Sequence, residues 1–183
     1  MRETMPAAAL SEDRLIRRLI KLVTELDLDR SDFVIFGSGP MLAHGLRQRV
    51  RDLDVVARGN AWRRVSERGI PEAGAISGAP MALFWGGLIQ FSPEWISQDW
   101  DTDDLITRSE LIQIGGTELI QELPFAQLTD VLAYKQKLDR LKDRPDIDAL
   151  LDLLRQPSRT HGLTSPEATW RPVGSRVPAL QNC

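Results

Sequence analysis

The sequence is poor in cysteine and has no stretch suited to a membrane. Its 183 residues contain a single cysteine, Cys183. One thiol can form no intramolecular disulfide, and a cysteine-based metal site is excluded with it. The chain also shows neither a long apolar span nor a signal-peptide pattern, which predicts a cytoplasmic protein without a membrane partner.

The chain likewise lacks an excess of positive charge. Its 23 lysines and arginines face 26 aspartates and glutamates, for a formal net charge of -3. The chain as a whole therefore has no positive electrostatic field that would attract nucleic acid. A local basic patch on its surface remains an open alternative. The hydrophobic fraction of 42% and charged fraction of 27% are ordinary for a globular protein. With this length, they indicate one compact domain with appendages.

The apolar pattern divides the chain into three segments. Residues 1–30 hold a small-residue leader and an amphipathic helix expected over residues 11–26, capped by Ser11. Residues 31–155 alternate strands and helices. Strands are expected at residues 33–36, 52–56, 81–85, 88–91, 111–114 and 117–122, and helices at residues 60–68, 125–138 and 145–154. Residues 156–183, rich in proline, serine, threonine and arginine, predict an extended or mobile tail.

A strand–turn–helix–strand unit over residues 33–56 carries the chemistry. The apolar run 33–36 ends at Gly37 and Ser38, where a turn before a helix presents N–H groups and a hydroxyl to a phosphate. Asp52 and Asp54 alternate on the next strand and therefore share one face. Two adjacent carboxylates repel each other and raise each other's proton affinity. Magnesium suits such a pair because it takes a few hard oxygen ligands and completes its shell with water and phosphates.

Each half of this unit has a simpler interpretation. A glycine–serine turn after a strand is usually only a turn, and an Asp-x-Asp pair is often a solvated strand face. The basic residues Arg47, Arg49 and Arg51 could bind a triphosphate or an RNA acceptor, or form a solvated link. Lys135 and Asp139, four residues apart, could pair on a helix surface. Three further residues are assigned to capping and local ion pairs: Lys142, Asp143 and Asp146.

Two groups of short motifs follow each other along the chain. The first contains FGSG (36–39), HGLR (44–47) and RDLDVV (51–56), and the second contains LAYK (132–135) and DRLKDRPDI (139–147). Together they resemble the signature motifs of the nucleotidyltransferase superfamily, particularly small bacterial proteins and the toxin-like members of abortive-infection systems. The resemblance spans roughly residues 30–155. It implies an α+β fold in which helices flank a small mixed sheet.

The resemblance also implies an activity and the residues that perform it. Such enzymes use magnesium to move a nucleoside monophosphate from a nucleoside triphosphate to an acceptor hydroxyl, on a protein, a tRNA or a small molecule. Carried over by position, Gly37 and Ser38 would hold the phosphates, and Asp52 and Asp54 would be the catalytic, magnesium-binding carboxylates. Lys135 would lie near the phosphates. The toxin-like members further imply an antitoxin-like partner.

One position departs from the pattern of active members. These carry a third carboxylate on a later strand, and the strand expected over residues 88–91 offers Gln90 there. An amide is a poorer metal ligand than a carboxylate and cannot act as a base at neutral pH. Two interpretations stay open. Either Glu94 or Asp99 supplies the third carboxylate, or the protein is a catalytically degenerate member that binds nucleotide or a partner protein.

Overall fold

The computed structural model describes residues 7–75, 77–94, 101–115, 120 and 122–155. The tail predicted over residues 156–183 and the candidate carboxylate Asp99 lie outside these ranges, as does most of the strand expected over residues 117–122. Within the described ranges, no helix has the length and apolar character that a bilayer crossing needs.

Seven strands form one mixed sheet. They are β1 (Phe33–Phe36), β2 (Leu53–Ala57), β3 (Ile70–Ala73), β4 (Pro80–Phe84), β5 (Ile89–Ser92), β6 (Glu110–Gln113) and β7 (Glu122–Phe125), in the spatial order β3-β4-β5-β2-β1-β7-β6. The central strand β1 pairs antiparallel with β2 and parallel with β7, and β2 pairs parallel with β5. The outer pairs, β3–β4, β4–β5 and β6–β7, are antiparallel. This mixed sheet confirms the predicted α+β class.

Helices cover both faces of the sheet. They are α1 (Ala7–Glu12), α2 (Arg14–Glu25), α3 (Gly39–Ala43), α4 (Gly59–Arg68), α5 (Thr102–Thr107), α6 (Leu128–Leu138) and α7 (Arg144–Arg155). The first predicted helix is divided in two, and its cap was assigned wrongly. Asp13, not Ser11, caps α2, because its Oδ1 atom accepts hydrogen bonds from the backbone N–H groups of Leu15 and Ile16 at 2.8 and 3.1 Å.

Alternation along the central strands decides which face holds the acidic pair. Phe33 and Ile35 of β1 face the main core, together with the apolar side of α2. Val34 and Phe36 face the opposite side, where Tyr134 of α6 and two residues of α5 pack against them. In the strand register, Phe36 pairs with Asp54 and Asp54 with Gln90. Since paired residues point to the same side of a sheet, these polar side chains face α5 and α6.

Several predicted boundaries differ from the structure. The helix expected over residues 125–138 begins only at Leu128, because the apolar residues before it form β7, which pairs with β1. The acidic stretch after residue 100, to which no element was assigned, forms α5, capped by the Asp101 carboxylate. Strand β3 had no sequence signal. The turn between β4 and β5 spans residues 85–88 rather than two residues.

Candidate functional site

A cavity of about 470 Å³ opens on the α5–α6 side of the sheet. Its walls come from separate parts of the chain: the β1–α3 turn, the link that precedes β2, strand β5, the β3–β4 loop, helix α6 and the α6–α7 link. All five predicted site residues line it, namely Gly37, Ser38, Asp52, Asp54 and Lys135. The structure thus brings the predicted residues to one place, while their roles stay predictions.

The carboxylate of Asp54 lies directly against the turn after β1. A Cβ atom built on Gly37 would be 2.2 Å from Asp54 Oδ2, so any side chain there would force the Asp54 carboxylate to move. Gly37 also has a φ of +61°, a backbone conformation that favours glycine. The antiparallel pairing of Phe36 with Asp54 creates this proximity. The acidic pair and the serine-bearing turn therefore form one continuous wall.

Burial and charge repulsion perturb Asp54. Burial raises the pKa of its carboxyl group, and the neighbouring charge of Asp52 raises it further, to about 7. Lys135, Arg140 and Lys142 oppose this effect but do not cancel it. Near neutral pH the site therefore holds a proton or needs a cation.

Gln90 occupies the position beside the acidic pair. Its Nε2 atom donates hydrogen bonds to the Gly87 carbonyl oxygen at 3.0 Å and to Asp52 Oδ2 at 3.3 Å. The structure confirms that Gln90 is the polar residue of β5 beside the acidic pair, since it also pairs with Asp54 in the strand register. Its hydrogen bonds hold it against the Asp52 carboxylate.

Glu94 does not complete a three-carboxylate cluster. It lines the same cavity, but its side chain is exposed and it follows Gln90 by four residues, each extended residue advancing the chain by about 3.3 Å. In the part of the chain that the structure describes, no three acidic, histidine or cysteine side chains could jointly hold a metal ion. The expectation that Glu94 replaces the missing carboxylate is therefore wrong for this structure.

Ser38 stands at the start of α3. It occupies the N-cap position of this five-residue helix, but its side chain makes no capping hydrogen bond. The hydroxyl is half-buried and lines the cavity. The phosphate-binding role that the sequence predicts for Ser38 stays a prediction.

Lys135 does not pair with Asp139 on the helix surface, as one interpretation had it. Lys135 is only 2% exposed, and its Nζ atom lies 3.1 Å from Asp143 Oδ1 and 2.8 Å from Asp146 Oδ2. Arg47 binds Asp146 with two hydrogen bonds of 2.8 and 2.7 Å. The local ion pairs predicted for these two aspartates are confirmed, and they connect α6 to α7.

Sequence reasoning missed Arg140 as a site residue. It lines the cavity and pairs with Asp143. Burial alone would raise the pKa of Asp143, but hydrogen bonds from Arg140 and Lys135 outweigh it and lower the pKa. Arg140 lies within the second sequence motif, but the sequence does not show that its side chain reaches the cavity.

Comparison with known proteins adds a distant structural likeness. No family model matches the sequence, and no curated protein matches it either. Among solved structures, the crystal structure of a candidate nucleotidyltransferase from Thermotoga maritima is similar, with 17% sequence identity and a TM-score of 0.49. The match covers 75% of this chain and 92% of that chain. Similarity this weak assigns neither an activity nor a substrate.

Proposed function

We propose that this chain is a magnesium-dependent nucleotidyltransferase, which moves a nucleoside monophosphate from a nucleoside triphosphate to an acceptor hydroxyl. One observation carries the proposal: the Asp54 carboxylate lies against the Gly37 turn, in a cavity shared with Asp52 and Ser38. The resemblance of the sequence motifs supplies the reaction. A protein, tRNA or small-molecule acceptor and an antitoxin-like partner are proposals from that resemblance alone.

The donor set of the cavity fits magnesium. Asp52 and Asp54 offer hard carboxylate oxygens. Burial and Asp52 raise the pKa of Asp54 to about 7, so the nearby cations do not fully offset the negative charge of the pair. Magnesium commonly uses one or two protein carboxylates and fills its other positions with water and substrate phosphates. Asp52 and Asp54 would hold the ion. When bound, it would neutralise charge on the phosphates during transfer.

The cavity also fits a triphosphate in size and charge. Its volume of about 470 Å³ lies within the range of small-molecule sites, roughly 300 to 1,000 Å³. Five basic side chains line it, Arg47, Arg51, Lys135, Arg140 and Lys142. In the proposed reaction, the acceptor hydroxyl loses its proton to solvent water and its oxygen forms a bond to the α-phosphorus. The bond from the α-phosphorus to the bridging oxygen of the β-phosphate breaks, so pyrophosphate leaves. Catalysis by this chain would consist mainly of positioning and charge stabilisation.

A second function is favoured by Gln90. Its amide cannot accept the proton of an acceptor hydroxyl, and among the described residues no third carboxylate joins Asp52 and Asp54. A protein of this kind would bind magnesium and nucleotide without transferring it. Nucleotide binding would then serve a regulatory or partner-binding role.

The two functions separate in one series of measurements. Purified protein is incubated with labelled nucleoside triphosphates, magnesium and cell extract, and binding is followed in parallel by calorimetry. Label transfer that disappears in Asp52→Ala supports the transferase. Magnesium-dependent binding without label transfer supports the second function. A wild-type protein that binds no nucleotide with or without magnesium would contradict both.

A further inference from the structure

The five basic side chains of the cavity fall into two classes. Three of them, Arg47, Lys135 and Arg140, form ion pairs with Asp143 or Asp146. The other two, Arg51 and Lys142, are exposed. Neither makes an ion pair or a side-chain hydrogen bond with any residue in the described ranges. Only the second class presents basic groups that no carboxylate already holds.

The first class forms an ion-pair network around three buried residues, Lys135, Asp143 and Asp146. Lys135 contacts both carboxylates, Arg47 binds Asp146, and Arg140 binds Asp143. Three cations and two anions leave this group with a formal charge of only +1. An ammonium held between two carboxylates has most of its charge compensated. Drawing it toward a phosphate would also leave Asp143 and Asp146 short of a partner inside the protein.

The network fixes the segment that carries Lys142. Residues Leu141–Asp143 form a single 3-10 turn between α6 and α7, and Asp143 is its last residue. Asp143 is 3% exposed and is held by Lys135 from α6. Lys142, next to Asp143 in the chain, is thereby placed at the cavity wall, where its charge acts on Asp54.

Arg51 reaches the cavity from a different part of the chain, the link that precedes β2. It immediately precedes Asp52 and lines the cavity. A polyphosphate bound at the acidic pair through a metal ion would therefore share the cavity with two exposed cations. Resting on the function proposed above, we propose that Arg51 and Lys142 bind the polyphosphate. Lys135, by contrast, is a positioning residue that acts through Lys142.

A double-mutant cycle tests this division of roles. The probe is inorganic tripolyphosphate with magnesium, titrated by calorimetry into wild type, Lys142→Ala, Lys135→Met and the double variant. We expect Lys142→Ala to weaken binding by about tenfold and Lys135→Met by about threefold to tenfold. If Lys135 acts through Lys142, the double variant should bind no more weakly than Lys142→Ala alone. A direct phosphate contact from Lys135 would make the two fold-changes multiply and would overturn the proposal.

Salt gives an independent readout. Exposed charges are screened over about 10 Å at an ionic strength of about 0.1 M, and buried pairs much less. The defects of Lys142→Ala and Arg51→Ala should therefore shrink as potassium chloride is raised. Arg49→Ala is the matched control, because Arg49 is exposed in the same link but does not line the cavity. An equal loss of affinity in the control would contradict the assignment of Arg51.

Two further outcomes separate a folding defect from a binding defect, and a failure of this inference from a failure of the proposed function. Urea denaturation of each variant identifies any that fail to fold, and Lys135→Gln, which keeps an amide donor toward the aspartates, then replaces Lys135→Met in the cycle. Magnesium-dependent label transfer together with multiplying fold-changes would remove this inference and leave the proposed function intact. A wild type that binds no tripolyphosphate and no nucleotide would remove both.

Discussion

Ionisation of Asp54 should destabilise the ligand-free protein. Burial and the charge of Asp52 raise the pKa of its carboxyl group from 3.8 to about 7. The folded state therefore holds this proton more tightly than the unfolded state does, so stability falls as the pH rises from about 4 to about 7. Each pH unit of such a difference corresponds to about 1.4 kcal/mol, which gives a penalty of about 4 kcal/mol above pH 7.

Asp54→Asn removes this penalty while nearly preserving the shape of the side chain. Asp54 is half-buried, so surrounding water reduces the effect, and we expect the variant to be more stable than wild type by roughly 2 to 4 kcal/mol near pH 8. Near pH 4 the two proteins should differ little, because the wild-type carboxyl group is then protonated in the folded state. The assay is urea denaturation in the presence of a chelator across this pH range, and Asp148→Asn, at an exposed position of α7, is the control.

The effect of magnesium on protein stability is a second test of the same site. Because the ion would bind the ionised pair, it should stabilise wild type near pH 8 and have a smaller effect on Asp54→Asn. An asparagine variant that is no more stable than wild type near pH 8 would refute the reasoning. A variant that keeps the wild-type dependence of stability on pH would refute it too.

Three further substitutions test the walls of the cavity. Gly37→Ala should lower the free energy of unfolding by more than about 1 kcal/mol, because its Cβ would lie 2.2 Å from Asp54 Oδ2. Gly78→Ala is its control in urea denaturation, with a φ of +69° but open space around it, and an equal loss in both would exclude the clash. Gln90→Glu should tighten magnesium binding by about tenfold in calorimetry, since a carboxylate is the better ligand; unchanged or weaker binding would count against a metal at this site. Asp146→Asn should destabilise the fold by about 3 kcal/mol by leaving the buried Lys135 ammonium underpaired, and a loss within about 0.5 kcal/mol would show that the network contributes little.

The sequence predicted those features of the fold that depend on local pattern. Strand β1 was predicted with its observed bounds, because four apolar residues in a row end at a glycine–serine turn. The period of two in a strand predicted a shared face for Asp52 and Asp54, and both line the same cavity, although β2 begins only at Leu53, one residue after Asp52. Gln90 was also correctly identified as the polar residue beside the pair.

Features that depend on distant parts of the chain were not predictable. The contact between Gly37 and Asp54 results from the register of β1 against β2, which no local pattern specifies. The partners of Lys135 lie beyond the end of its helix, so helical spacing pointed to Asp139 instead. The end of β7 was assigned to α6 because its strand character comes from pairing with β1 rather than from its own sequence.

The central claim is that the acidic pair and the Gly37–Ser38 turn hold a metal ion and a polyphosphate between them. A crystal structure obtained with manganese and a non-hydrolysable nucleoside triphosphate tests it most directly, since manganese gives an anomalous signal at a magnesium site. We expect an anomalous peak within coordination distance of Asp52 and Asp54, with phosphate density reaching Ser38. Nucleotide density on another surface, with no metal peak beside the two aspartates, would contradict the claim.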